Sequence, residues 1–233
     1  MALRKFYTRV ISCPLTAKEC PYALKNFAKG DIPRGFSFKE KAHPDILVVR
    51  KNPGHADKAE KEYYRGRKGK SLFKALIRYH HGKNIIRPKG SNRFWINERR
   101  YLLFILGYHK QLVPFKTFQI QDNERKKISQ RVFFTNLFKC STEDEQATIP
   151  KSAFSVCYER YFLEELRLVK PRLILAAGRE VYNFLQRKEK AGQITVPIIY
   201  IKHPSYFYSK ENESPKLKKI KRSVKKILDD NTN

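Results

Sequence analysis

The chain has 233 residues, enough for one α/β domain with an elaboration or at most two small domains. Apolar residues make up 41%, which supports a real core and excludes a disordered basic tail. Fifty Lys and Arg against 22 Asp and Glu give a formal charge of +28, an excess that repels itself unless a polyanion neutralises it. Nucleic acid is therefore the expected partner, with an anionic membrane far behind. The thirteen Tyr and sixteen Phe suit that partner, because aromatic rings stack on unpaired bases. No apolar run reaches the roughly 18 residues that suggest a membrane span. Residues 1–10 are basic and aromatic, unlike the apolar stretch of a signal peptide. An intracellular, reducing setting is expected, where structural disulfides are rare and four cysteines need another explanation.

In chain order, an N-terminal arm (1–44) carrying Cys13 and Cys20 precedes a first apolar run, Asp45–Arg50. Lys58–Tyr79 reads as mixed loop and helix. The segment 80–131 is longer than a simple crossover requires and is basic and aromatic, with Trp95 and the apolar run Tyr101–Leu106. It suits an inserted helix packing Leu102, Ile105 and Leu106 on the core, a DNA-contacting subdomain, or both. Val132–Leu137 is the second apolar run. Ser152–Val169 follows as a helix with Phe154, Cys157, Tyr161, Phe162, Leu166 and Val169 on a broad apolar face. Leu173–Gly178, a helix Glu180–Lys190 and Pro197–Lys202 come next, then a C-terminal helix within 216–230. Four apolar runs without strict alternation predict parallel strands covered on both faces, and the intervening helices predict a sheet with helices on both sides. One domain over residues 1–233 is expected.

Ligands of such sheets bind beyond the carboxyl ends of the strands. Asn52-Pro53-Gly54, Asn136, Gly178-Arg179 and His203-Pro204-Ser205 occupy those four ends. Any one of them alone could be a turn, so the convergence of all four carries the weight. The cysteines fall before the first strand (Cys13, Cys20) and around the loop after the second (Cys140, Cys157). Four buried thiols, a zinc site or an iron–sulfur cluster would each use them. Zinc ligands usually come in close pairs, whereas these are dispersed, which suits the larger cluster frame.

The ordered motifs Ile46–Gly54 (ILVVRKNPG), Tyr63–Gly69 (YYRGRKG), Thr135–Cys140 (TNLFKC), Cys157 opening towards Lys170-Pro171, Leu175–Arg179, and His203-Pro204-Ser205 resemble the uracil-DNA glycosylase superfamily. The likeness is strongest to its iron–sulfur branch, family 4, and spans Cys13 to about residue 209 apart from the insertion. It implies a three-layer α/β/α sandwich around a central four-stranded parallel sheet. It also implies a [4Fe–4S] cluster on Cys13, Cys20, Cys140 and Cys157, although the first pair is spaced more widely than in that branch. By the same resemblance Asn136 reads the base, Tyr64 stacks on it and His203 donates to the departing base. Tyr206, Phe207 and Tyr208 look like the loop that wedges into the duplex, with Ser205 and Arg179 further DNA contacts.

Asn52 stands where faster members carry a carboxylate; an amide only orients the attacking water, as in the mismatch-directed and single-strand-selective branches. Lys51 departs from family 4, and Asp57 or Glu60 could compensate. Gly54 replaces a Tyr that blocks the pyrimidine C5 position in uracil-restricted members, which implies a pocket open to C5-substituted bases. The expected activity is therefore a monofunctional glycosylase releasing a flipped-out pyrimidine from duplex or single-stranded DNA, acting as a monomer. A defence enzyme against hypermodified cytosine in viral DNA and a non-catalytic nucleic-acid binder are the alternatives.

Overall fold

The computed structural model describes residues 2–13, 20, 22, 33, 44–53, 58–81, 93–141, 149–205 and 210–230. In chain order the elements are α1 (Ala2–Ile11), β1 (Ile46–Arg50), α2 (Lys58–Tyr64), α3 (Gly69–His81), α4 (Arg93–Ile105), a 3-10 turn (Phe115–Thr117), α5 (Asp122–Arg131) and β2 (Val132–Asn136). They continue as α6 (Lys151–Cys157), a π-helical stretch (Tyr158–Phe162), α7 (Leu163–Val169), β3 (Leu173–Ala177), α8 (Arg179–Lys190), β4 (Ile198–Ile201) and α9 (Lys210–Asp229).

The expected α/β fold forms: the four strands make one parallel sheet in the order β2-β1-β3-β4, flanked by helices. Every residue of β1 and β3 is buried, as their uninterrupted apolar runs require. Ile46 pairs with Leu173 and Ile174 with Ile198, so the strand ends come into line. β4 is an edge strand and is only half-buried over most of its length.

The chain falls into two compact units. The first comprises Met1–Ala42, Arg50–Arg87 and Phe134–Lys170. Its α1 is a helix that the sequence reading did not assign. Leu3, Phe6, Tyr7, Val10 and Ile11 are buried at helical spacing, and the helix packs against α3 and α7. The mixed stretch Lys58–Tyr79 resolves into α2 and α3. The turn joining them uses Gly66 (φ 71°) and Gly69 (φ 49°) in the left-handed region that glycine tolerates best. The expected helix Ser152–Val169 is α6, the π stretch and α7 in succession, and Cys157 stands directly before the π stretch.

The second unit comprises His43–Val49, Pro88–Phe133 and Pro171–Asn233. Within it α8 packs on β3 and β4, and α9 packs on α4 and β3. In the insertion, Tyr101 to Ile105 of α4 are all buried, so this helix is core on every side near its end, while Leu106 just beyond is half-buried. Glu124 closes the start of α5 by accepting from the Gln121 backbone at 2.9 Å, and it meets His109 Nε2 at 2.5 Å. The C-terminal helix begins at Lys210 rather than after Pro215. Pro215 therefore lies inside the helix, past its first turn, where the missing N–H removes one rung of the hydrogen-bond ladder. Leu217, Val224 and Leu228 anchor the helix as its periodicity predicts.

Candidate active site

The first unit brings two of the expected site segments side by side. Pairing continues past the strand ends: Leu137 N donates to Arg50 O at 2.8 Å and Phe138 N to Lys51 O at 2.9 Å. The turn after β2 therefore runs alongside the turn after β1, which carries Asn52. Asn52 is half-buried and its Nδ2 donates to Pro53 O at 3.1 Å. Asn136, the last residue of β2, is 3% exposed, and its Oδ1 has no hydrogen-bond partner among the described residues. A buried carbonyl oxygen without a donor is costly, so this is a strand end with an unmet acceptor. Gly54 lies outside the described residues, as does Asp57.

Tyr64 ends α2 and is buried, while Tyr63 beside it is exposed. The two rings meet edge to face at 6.0 Å, and the Arg67 guanidinium lies 5.2 Å from the Tyr63 ring. An open hollow here is lined by Glu62, Tyr63, Arg65, Gly66 and Arg67. The exposed aromatic surface thus belongs to Tyr63, one position before the residue expected to stack.

Below Asn136 sits a polar cluster that the sequence reading missed. Lys139 (1% exposed) places Nζ 2.6 Å from Glu165 Oε2 and 2.5 Å from Thr135 Oγ1. The Thr135 hydroxyl faces both Glu165 oxygens at 2.9 and 2.8 Å, and Tyr7 OH donates to Oε1 at 3.2 Å. Burial and the adjacent Glu165 carboxylate hold the Tyr7 phenol well above its ordinary pKa, so it stays a donor. Thr135 and Lys139 bracket Asn136, and Lys139 precedes Cys140, so the cluster pins the whole turn. The only foreshadowing in the sequence is a lysine inside an otherwise apolar run, inconspicuous among fifty cationic residues.

All four cysteines are buried outside any disulfide, and all belong to this unit. Burial pushes the Cys157 thiol up to about 12; the Lys139 backbone N–H and charge oppose that rise, and Cys20 and Cys13 add to it. The Tyr161 phenol is likewise raised, by burial first and then by the Cys13 thiol. A chain of rings, Tyr22 to Phe138 at 5.2 Å and Phe138 to Phe154 at 6.1 Å, ties the segments that carry Cys20, Cys140 and Cys157. Among the described residues no group of three or more Cys, His, Asp or Glu forms a ready-made metal site. The donor set nonetheless suits a thiophilic centre: four buried thiols in one unit, with the Cys157 thiol feeling those of Cys20 and Cys13.

The second unit positions His203. Its ring is half-buried and packs at 5.2 Å on Phe94 of α4. The backbone N–H of Ser205 donates to His203 Nδ1 at 3.4 Å. A ring accepting at Nδ1 carries its proton on Nε2, so the neutral imidazole is a donor at its outer nitrogen. Pro204 is buried and its carbonyl accepts from Asn97 Nδ2 at 3.0 Å. Ser205 is exposed; Tyr206, Phe207 and Tyr208 lie outside the described residues. Arg179, the first residue of α8, holds its guanidinium 5.5 Å from the Tyr200 ring. Phe94 and Asn97 were not singled out from the sequence. The available signal was Asn97 itself, a polar residue on the face that continues into Tyr101 and Phe104.

Gly178 caps α8 at φ 101°, ψ 152°, a conformation essentially reserved for glycine, and a Cβ there would lie 3.6 Å from His203 Cβ and Cδ2. Gly178→Ala should therefore lower stability by about 1–3 kcal/mol through backbone strain, measured by urea denaturation. An unchanged unfolding midpoint would show that the segment relaxes.

The uracil DNA glycosylase superfamily has a family model that matches residues 36–228. The chain belongs to this superfamily. No individual curated protein matches it. Membership in the uracil DNA glycosylase superfamily makes a DNA-glycosylase-type function, with DNA as the partner, the general assignment. Among the described residues no helix is long and apolar enough to cross a membrane.

Proposed function

We propose that the protein is a monofunctional DNA glycosylase that hydrolyses the bond between C1′ and the base nitrogen of an extruded pyrimidine and leaves an abasic site. The observation that carries this reading is Asn136: a buried amide whose oxygen lacks a partner, at a strand end zipped to the segment of Asn52. An amide presents both a donor and an acceptor, the complement of a pyrimidine's Watson–Crick edge. As the bond breaks, the sugar gains oxocarbenium character and the base leaves as an anion. His203 Nε2–H is the donor to the carbonyl oxygen where that charge gathers. Asn52 accepts a hydrogen bond from the attacking water and orients it but cannot take its proton. Water oxygen bonds to C1′, and the proton it releases balances the protonation of the departed base. Tyr64, Ser205, Tyr206, Phe207 and Arg179 are assigned to stacking and DNA contact on the strength of the motif resemblance.

Cys13, Cys20, Cys140 and Cys157 would hold a [4Fe–4S] cluster, with zinc the alternative. The cluster would tie the N-terminal arm to the turn carrying Asn136 and supplies no step of the reaction. Purified protein should absorb near roughly 400 nm, where iron–sulfur centres do and zinc does not. A colourless protein with one equivalent of zinc would replace the cluster by the simpler ion.

Gly54, which removes the side chain blocking the C5 position in uracil-restricted relatives, favours bases substituted at C5. A panel of duplex and single-stranded oligonucleotides carrying uracil, mismatched thymine, 5-hydroxymethylcytosine or glucosylated cytosine, read as abasic sites, tests this. Release of C5-substituted bases supports the open pocket, and release of glucosylated cytosine favours a defence role. Activity confined to uracil removes the open pocket. Binding without cleavage of any member would make the protein a nucleic-acid binder.

A further inference from the structure

We infer that the 80–131 insertion braces the catalytic histidine, with Asn97 of α4 acting as a positioning residue that sets the tautomer and orientation of His203. The inference rests on reading His203 as the leaving-group donor. Asn97 is fully buried and donates to the carbonyl of Pro204, 107 residues away, at 3.0 Å. That carbonyl and the N–H of Ser205 belong to one planar peptide unit, whose ends move together. The N–H end points to His203 Nδ1 at 3.4 Å. Fixing the carbonyl end therefore aims the N–H end, which keeps the imidazole proton on Nε2. Pro204 restricts φ on the other side of the same unit.

Three residues before Asn97, on the same side of the helix, Phe94 sets its ring 5.2 Å from the imidazole at 55°. One helix thus supplies both the hydrogen bond that orients the loop and the ring that packs on the histidine. Stability alone does not account for the asparagine: its Oδ1 has no partner among the described residues, and an apolar side chain there would avoid that loss. What the asparagine adds is the bond to Pro204.

The test uses the full chain and the variants Asn97→Ala, His203→Ala and their combination. Asn97→Leu, close in size but without the donor, serves if the alanine variant does not fold. Ring-nitrogen NMR of His203, assigned by its disappearance in His203→Ala, should show a single Nε2–H tautomer in the wild type. In the Asn97 variant the two nitrogen shifts should move towards averaging. Single-turnover excision from a duplex carrying one uracil, or the base released in the panel, should slow roughly ten- to hundredfold in Asn97→Ala, with DNA affinity unchanged. Adding Asn97→Ala to His203→Ala should slow it no further. Unchanged His203 resonances in the Asn97 variants, or the same slowing with and without His203, would overturn the brace. Full excision by His203→Ala would instead remove the donor role, while the NMR result would still decide whether Asn97 orients the ring.

Discussion

Lys139→Met is expected to be among the most destabilising single changes in the protein, costing about 3–5 kcal/mol. Removal of the ammonium leaves the Glu165 carboxylate buried without its charge partner, 2.6 Å from a position now apolar. Thr135 and Tyr7 still offer hydroxyls, but neither carries charge. For a chain of this length that loss lowers the unfolding midpoint by about 6–20 °C. Adding Glu165→Gln to Lys139→Met should restore most of the loss, because the amide is neutral and still accepts from Tyr7 and Thr135. Thermal and urea denaturation of the single and double variants make the comparison. A Lys139→Met protein within about 1 kcal/mol of wild type would mean that the carboxylate finds water or takes up a proton, and that the cluster does not pin the turn. Since Lys139 adjoins Cys140 and touches Cys157 through its backbone, the proposed cluster, if those cysteines hold one, should be lost more readily from the variant. The absorption described above would report that loss.

Asn136→Ala should separate activity from stability. The side chain is buried, yet its oxygen bonds to nothing among the described residues. Its removal relieves an unmet acceptor and leaves a small void, two opposing terms of order 1 kcal/mol, so the unfolding midpoint should change little. Excision should nevertheless fall by about 10²–10³, the range seen when a group that orients or stabilises the reacting atoms is removed. Rate and stability are measured on the same preparation, by single-turnover release of the base and by urea denaturation. A large fall in stability with unchanged excision would make Asn136 a structural strand cap and dissolve the base-reading assignment.

Much of the architecture was legible because parallel strands announce themselves locally. The runs ILVVR, VFFTN, LILAA and IIYI are apolar or β-branched without alternation, and each lies within a residue of its expected bounds. The placement of Asn52, Asn136, Gly178 and His203 followed from the same rule, since each stands where a strand ends. α1 was missed because its periodic stripe is diluted by Arg4, Lys5 and Arg9 and carries no capping signal in its first turn. Tyr64 and Tyr63 could not be ordered by exposure, since adjacent residues on a helix end differ only in which way the chain turns afterwards.

By itself, the sequence determined the order of strands and helices, the strand-end positions of the polar residues and the chemistry those residues offer, all of which depend on neighbours along the chain. Only the tertiary structure decided which distant groups complete them: Lys139 with Glu165 across 26 residues, Tyr7 with Glu165 across 158, and Asn97 with Pro204 across 107. Those partnerships have no period to betray them. They depend on where burial leaves a polar atom in need of a partner, and burial is a property of the packed fold.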